Sequence, residues 1–564
     1  MLTAMLTGAR KIISYKFSQP ALETLTNPLT QKRLAYLILL LCAASFKAWL
    51  ITSDSVPFNS DEAIVALMAR HILQGERPVF YYGQAYMGSL DAWLVASGFW
   101  LFGEQIWVIR LVQLVLYLGT MLTTARIGEL FFTSWRTGVV AMLLIAIPTV
   151  NVTLYTTASL GGYGEALLLG NLILLTAFRI AIISQSSSKF LYGWWWLAGL
   201  LIGFGMWAFS LTLVYSLPAV IYLTWNVSRN IARIQGRKAC SALALPLICI
   251  GVGFLFGAIP WWTYAFIHGI SKPISETIGA AIAGVEGLPW QAGIWRHLTN
   301  LVLLGSSVIL GLRPPWEVRW LVLPLLPLVL SFWLAAGVHT AGSLRRSSWP
   351  AAQRILLLGV AATTLAAYVI SPFGADPSGR YFLPLTVPMA LFAADMLVGL
   401  RDKIGNRVWL LPGIVILFHL GGTLQCITRN PPGLTTQFYP ITQIDHRADQ
   451  ALIEFLQHNG ETRGYTNYWV AYPLAFLSRE RLIFVPRLPY HPDFRYTPRD
   501  DRYPPYDELV DRADRVAYIT TNHSALDRLL QARFLQAGIS WQEATIGDYH
   551  IFYNLSRVIR LEDN

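Results

Sequence analysis

The sequence predicts a polytopic α-helical membrane protein that carries a small α/β soluble domain at its C-terminal end. Three observations lead there. Charge is scarce, long apolar runs recur, and the composition turns polar only after residue 430. Of the 564 residues, 13% are charged and 54% are hydrophobic, and the mean hydropathy is +0.46. A soluble protein carries about 25% charged residues, so about half of the expected charge is missing. Trp, Tyr and Phe number 21, 25 and 27, in keeping with rings that settle at membrane–water interfaces.

A helix needs about 20 mainly apolar residues to cross the hydrocarbon core. Such runs lie near 34–51, 106–125, 138–158, 166–183, 193–210, 211–226, 242–264, 318–338, 355–371, 382–400 and 408–426, with shorter ones at 90–102 and 298–312. Orientation decides what the short runs are. With a cytoplasmic N-terminus and neither short run crossing, the inner segments collect Arg10, Lys11, Lys16, Lys32 and Arg33, then Arg126 and Arg136, then Lys189. Arg229, Arg233, Arg237, Lys238, Arg345, Arg346, Arg354, Arg401, Lys403 and Arg407 follow on the same side. That obeys the positive-inside rule. A crossing at 90–102 would turn the loops at 126–136, 189 and 229–238 outward. The expectation is about eleven transmembrane helices, with 90–102 and 298–312 as juxtamembrane helices on the outer side.

This assignment also explains the net charge of +11 as membrane topology, so no nucleic-acid partner is expected. Cys42, Cys240, Cys249 and Cys426 lie in or beside apolar runs without metal-ligand spacing and read as buried thiols. Residues 1–33 are polar and basic, with no cleavage site after the first apolar run, and make a poor signal peptide.

The chain divides into a membrane domain, 1–430, and an extracytoplasmic α/β domain, 431–564, beginning at the Pro431-Pro432-Gly433 break. In the tail, 445–458 is an amphipathic helix with Ala448, Leu452, Phe455 and Leu456 on one face. Strand-prone runs recur at 481–485, 515–520 and 549–553, a helical pattern covers 524–536, and Gly547-Asp548 has the chemistry of a hairpin turn.

The outer segments, 52–105, 159–165, 265–317 and the loop 371–381, hold the residues that could do chemistry. Asn59-Ser60-Asp61-Glu62 opens a helix whose apolar face is Ile64, Leu67, Met68 and Ile72. Ser60 as a cap and two acids in the first turn would explain these residues structurally. A carboxylate at the membrane surface could equally act as a base on an acceptor hydroxyl or amine. In Gly161-Gly162-Tyr163-Gly164-Glu165 the glycines allow a tight reversal, and Glu165 sits where a bilayer favours an apolar residue, which makes it a functional candidate. Arg380-Tyr381 lies at the outer mouth of a late span. Arg380 is either an interfacial anchor or a bidentate grip on phosphate, and Arg110 has the same two readings.

Together these pieces resemble the GT-C glycosyltransferase superfamily, and within it the protein O-mannosyltransferase and aminoarabinose-transferase-like branch, over roughly residues 34–426. The resemblance rests on Asp61-Glu62 after the first span and on the amphipathic helix that follows. It also rests on Tyr81-Tyr82-Gly83-Gln84-Ala85-Tyr86-Met87-Gly88-Ser89-Leu90 leading to Leu101-Phe102-Gly103, and on Arg380-Tyr381-Phe382-Leu383-Pro384. It implies a GT-C-like fold and a glycosyltransferase that moves a sugar from a polyprenyl-phosphate donor to a protein, lipid or glycan acceptor. Transfer would take place on the extracytoplasmic face of the cell membrane, with inversion.

The resemblance also implies that Asp61 is the catalytic base with Glu62 beside it, that Glu165 is a second outer-loop acid, and that Arg380 contacts donor phosphate. The branch often carries a Lys-Pro-Pro-Leu-like turn where this chain has Met87-Gly88-Ser89-Leu90. The phosphate must therefore be held differently, and Tyr82, Tyr86, Tyr163 and Tyr381 join Arg380 as substrate-binding candidates. The second outer loop lacks the Asp-x-Asp metal motif, so no essential metal or other cofactor is expected.

Two rivals belong to other classes. A lipid or glycan transporter should show internal repeats and ionisable groups near the midplane, whereas here the acids cluster at outer span ends. A non-catalytic subunit displaying its tail would leave Asp61, Glu165 and Arg380 without a common purpose.

Overall fold

The computed structural model describes residues 27–184, 191–231, 237–278, 290–346, 352–429 and 433–560. The expectations placed on Arg10, Lys11, Lys16, Lys189, Arg233 and the Pro431-Pro432 break lie outside the described residues, as do those on the side chains of Arg237, Lys238, Cys240 and Arg346.

Each of the eleven apolar runs is occupied by helix. The first forms Pro28–Thr52, capped by Asn27, and the second forms Ile106–Phe131. The third is split at Pro148 into Trp135–Ala146 and Val150–Tyr155, because proline has no N–H to continue the ladder and biases the residue before it towards extended backbone. Tyr163–Ile183, Leu191–Ala208 and Leu213–Ile231 follow. The 242–264 run bends by 64° between Ala244–Gly257 and Ile259–His268, where Pro260 opens the second piece. The 318–338 run becomes α-helical only at Leu326, after a 3-10 turn at Leu323–Leu325. Ala352–Ile370, Thr386–Ile404 and Leu410–Arg429 complete the bundle, the last two separated by Gly405.

By length and composition, seven stretches among the described residues are helical and apolar enough to cross a membrane, or eight if the bent pair is one span. The last of them, Arg380–Thr428, contains both final helices. The protein is an integral multi-pass membrane protein. Lipid gives helices no hydrophobic reason to associate, so close packing of small residues holds them together. Leu191–Ala208 and Arg237–Gly257 show this directly: a Cβ on Gly203 would lie 2.2 Å from the Phe254 carbonyl oxygen, and one on Gly257 2.2 Å from that of Leu200.

Between the first two membrane-length helices lie several short elements. Ser60–Gln74 is followed by a short hairpin, β1 (Phe80–Tyr81) and β2 (Gln84–Gly88), and by the 13-residue helix Leu90–Phe102. At 1.5 Å per residue that helix reaches about 20 Å, short of a bilayer core of about 30 Å. The 298–312 run likewise forms short pieces, ending in Ser306–Ile309.

The tail folds as a five-stranded sheet in the order β4-β3-β5-β7-β6, with β3 Arg463–Tyr465, β4 Ile483–Val485, β5 Ala517–Thr521, β6 Gln542–Ile546 and β7 Tyr549–Tyr553. β3, β4 and β5 run parallel, while β7 pairs antiparallel with β5 and β6 across the turn at Gly547. Leu452 and Leu456 of the Asp449–His458 helix pack with Phe484, Ile519 and Ile551 in its core.

The helix Tyr468–Leu477 docks this domain on Ser60–Gln74. The Phe58 and Phe476 rings lie 5.5 Å apart. Arg70 donates to Glu104 at 2.8 Å and to the Phe476 carbonyl at 3.1 Å, and pairs with Glu480 at 3.4 Å.

Candidate active site

The first turn of Ser60–Gln74 separates the two acids. Neighbours on a helix point about 100° apart and do not share a face, so Glu62 and Asp61 go to different places. Glu62, fully buried, takes a two-pronged ion pair from Arg110, whose Nε and Nη2 lie at 3.1 and 2.9 Å. Arg110 is 2% exposed and is therefore no interfacial anchor. The helix cap is Asn59, whose side chain accepts from the Glu62 N–H at 3.0 Å, in place of the expected Ser60. Ser60 instead donates its hydroxyl to the Tyr468 carbonyl.

Asp61 faces a cavity of about 160 Å³ lined by Tyr81, Gln84, Tyr86, Met87, Leu160, Tyr163, Arg380, Tyr468, Trp469, Tyr490, Asp500 and Arg502. One carboxylate oxygen, Oδ1, accepts the Tyr468 hydroxyl at 2.6 Å. The other accepts no hydrogen bond from any described residue and is open to take a proton. The Asp61 backbone carbonyl accepts from the Tyr81 hydroxyl at 3.1 Å. Burial first, and the Asp61 charge second, push the Tyr468 and Tyr81 phenols well above their ordinary values, so both remain donors.

The other walls come from two further inter-helix segments and from the C-terminal domain. Gly161 and Gly162, at φ +91° and +114°, make the reversal that turns Tyr163 into the cavity, a backbone shape that glycine adopts without strain. The loop before Thr386–Ile404 brings Arg380, whose Nη2 pairs with Asp376 Oδ2 at 2.6 Å. That loop is tied down by Asn151, which donates to the Gly379 carbonyl at 3.0 Å. The soluble domain supplies the rest. Tyr472 clamps the 500–502 loop by donating to the Asp500 carbonyl at 3.0 Å and accepting the Arg502 N–H at 2.6 Å. Burial lifts the Asp500 carboxyl to about 7. Arg502 and a hydrogen bond from Tyr490 oppose that lift, and Asp61 adds to it.

Asp61, Tyr86, Tyr163 and Arg380, four candidates from the sequence, therefore meet in one cavity. Glu62, Glu165, Tyr82 and Tyr381 do not line it. Glu165 is buried beside Asp91, which accepts from Gln113, Ser159 and the Gly161 N–H at 3.0, 2.6 and 3.3 Å. Tyr82 donates to Glu76 at 2.8 Å and stacks on Tyr503 at 4.7 Å. Tyr381 lies behind Arg380, its ring 5.1 Å from the guanidinium. Sequence reasoning missed Tyr468, Trp469, Tyr490, Asp500 and Arg502. The available signal was a run of charge and tyrosine between prolines, Tyr496-Thr497-Pro498-Arg499-Asp500-Asp501-Arg502-Tyr503-Pro504. Among the described residues no group of three or more His, Cys, Asp or Glu side chains could hold a metal ion.

Two kinds of likeness bear on what such a cavity does. The sequence model of the dolichyl-phosphate-mannose-protein mannosyltransferase family matches residues 89–252. No curated protein matches the chain in sequence. Among solved structures, an ArnT from Cupriavidus metallidurans bound to undecaprenyl phosphate is similar with a TM-score of 0.51 at 12% identity, over 92% of this chain and 98% of that one. The archaeal oligosaccharyltransferase AglB from Archaeoglobus fulgidus, in complex with an inhibitory peptide and a dolichol-phosphate, is similar with a TM-score of 0.50 at 12% identity. That likeness covers 94% of this chain and 75% of the other. The chain thus has the GT-C fold of membrane glycosyltransferases. What the chain shares with these proteins is that fold, together with a match to the mannosyltransferase family model over residues 89–252.

Proposed function

We propose that this chain transfers a sugar from a polyprenyl-phosphate carrier to an acceptor on the extracytoplasmic face of the cell membrane, inverting the anomeric carbon, with its N-terminus in the cytoplasm. The observation that carries the reading is the cavity itself. It gathers one open carboxylate oxygen and two guanidinium groups from segments about 440 residues apart in the chain. The solved ArnT and AglB structures carry undecaprenyl phosphate and dolichol-phosphate, which supports a polyprenyl-phosphate carrier here.

The reaction needs two opposed groups. Asp61 takes the proton from the acceptor hydroxyl or amine as its oxygen or nitrogen bonds to the anomeric carbon. The bond from that carbon to the phosphate oxygen breaks, and its electron pair leaves on the phosphate, where Arg380 answers the new charge. Tyr468 fixes the carboxylate from the far side. Tyr86 and Tyr163 offer hydroxyls and ring faces to the sugar. The acceptor is a protein, lipid or glycan. The experiment is a donor assay on purified protein in nanodiscs with a panel of polyprenyl-phosphate sugars, scored for released polyprenyl phosphate. Release from at least one donor is expected, and release from none, with folded protein, contradicts the proposal.

Asp500 makes binding pH-dependent. Below about 7 its carboxyl is neutral, and above that it places a negative charge in the cavity. The donor is a phosphodiester whose charge does not change over this range. Its affinity is expected to fall as pH rises through about 7 and to level off above it. Asp500→Asn should flatten the profile when donor KM is measured between pH 5.5 and 8.5.

A further inference from the structure

Arg380 is not the least satisfied cation in the cavity. Its guanidinium already faces Asp376 at 2.6 Å. Arg502 is different. It is 9% exposed, lines the same cavity, and enters no ion pair among the described residues. A guanidinium has five N–H donors. With the Gln84 amide oriented to satisfy both groups, its oxygen accepts from Arg502 Nη1 and Nη2 at 2.6 and 2.7 Å. Nε is buried without an acceptor. A buried guanidinium whose described hydrogen-bond acceptor is a neutral amide, with carboxylates only at longer range, is costly, and the fold holds it there firmly. Tyr472 clamps its backbone at 2.6 Å. Gly83 leaves room for its stem, since a Cβ there would lie 2.9 Å from Arg502 Cδ.

We infer that Arg502 is a phosphate-binding residue of the donor site, so the soluble domain completes that site and is more than an appendage to it. The inference deepens the glycosyltransferase reading and rests on it. The free N–H groups suit the oxygens of a phosphate, which a guanidinium meets in pairs. Tyr468 touches both Arg502 and Asp61. Its ring centroid is 5.6 Å from the Arg502 guanidinium, and its hydroxyl binds Asp61. A phosphate on Arg502 would therefore lie in the same cavity as the Asp61 base, with one tyrosine in contact with both residues.

The test measures binding, so it does not depend on turnover. Full-length protein in nanodiscs is titrated with radiolabelled short-chain polyprenyl monophosphate. Arg502→Gln is expected to weaken binding about tenfold to a hundredfold, the range of lost charge-assisted hydrogen bonds. Arg502→Lys keeps the charge but not the fork and is expected to cost about threefold to tenfold, with an unchanged melting midpoint. Affinity unchanged in the folded variants overturns the inference while leaving the glycosyltransferase reading intact. If the Gln variant does not fold, the Lys variant decides alone. Failure of the unmodified protein to bind the lipid phosphate would defeat the donor reading itself. Inorganic phosphate is the competing arm, and competition as strong as that of the lipid phosphate overturns the lipid assignment.

Discussion

Asp61→Asn is expected to lower sugar transfer about 10²–10⁴-fold, the usual cost of losing a general base, while folding and donor binding persist. The substitution keeps the shape of the side chain. Its amide oxygen can still accept the Tyr468 hydroxyl, which binds Oδ1 at 2.6 Å, and the helix cap is untouched because it is Asn59. What disappears is an oxygen able to take the acceptor's proton. The loss should therefore fall on kcat and leave the KM for donor nearly unchanged. Turnover near that of the unmodified protein would reduce Asp61 to a first-turn acid that favours the helix dipole.

Glu62→Gln is expected to act through stability. Glu62 and Arg110 are 0% and 2% exposed and joined at 2.9 Å. Removing the carboxylate leaves a buried cation unanswered, a change that costs about 3–5 kcal/mol in comparable pairs. The midpoint of unfolding in detergent should drop sharply for Glu62→Gln and stay in place for Asp61→Asn. Replacing both partners with apolar residues of similar size, as in Glu62→Leu with Arg110→Met, should recover much of the loss. A Glu62→Gln protein that melts normally but does not turn over would move Glu62 into the chemistry. Two adjacent acids thus divide the work, one closing a charge inside the protein and one facing the cavity.

Much of the fold was legible because membrane helices announce themselves through composition. The apolar runs marked every span helix, and prolines 148 and 260 stand where two runs break. In the tail, the strand-prone runs, the 524–536 helix and the Gly547 turn were also readable from alternation and turn chemistry. Strand β3 was not, since Arg463-Gly464-Tyr465 is short and has little apolar character. Part of the cavity was legible for a physical reason: Asp61, Tyr163 and Arg380 stand at span mouths, where an apolar pattern is interrupted and a polar residue needs a cause. Asp500 and Arg502 sit in a polar domain, where Asp and Arg are ordinary. Only docking through the Tyr468–Leu477 helix brings them to Asp61, and no local pattern encodes that contact. Tyr82 shows the converse, a tyrosine in the right segment that turns to Glu76 and not into the cavity.

The proposed place where a lipid-linked sugar reacts is one cavity walled in part by the C-terminal domain. The most direct measurement is an experimental structure of the full chain in nanodiscs with polyprenyl phosphate bound. The expected result is phosphate density between Arg502 and Arg380, in the same cavity as Asp61, with the prenyl chain leaving towards the membrane helices. Phosphate density away from these residues, with the cavity otherwise formed as described, would contradict it.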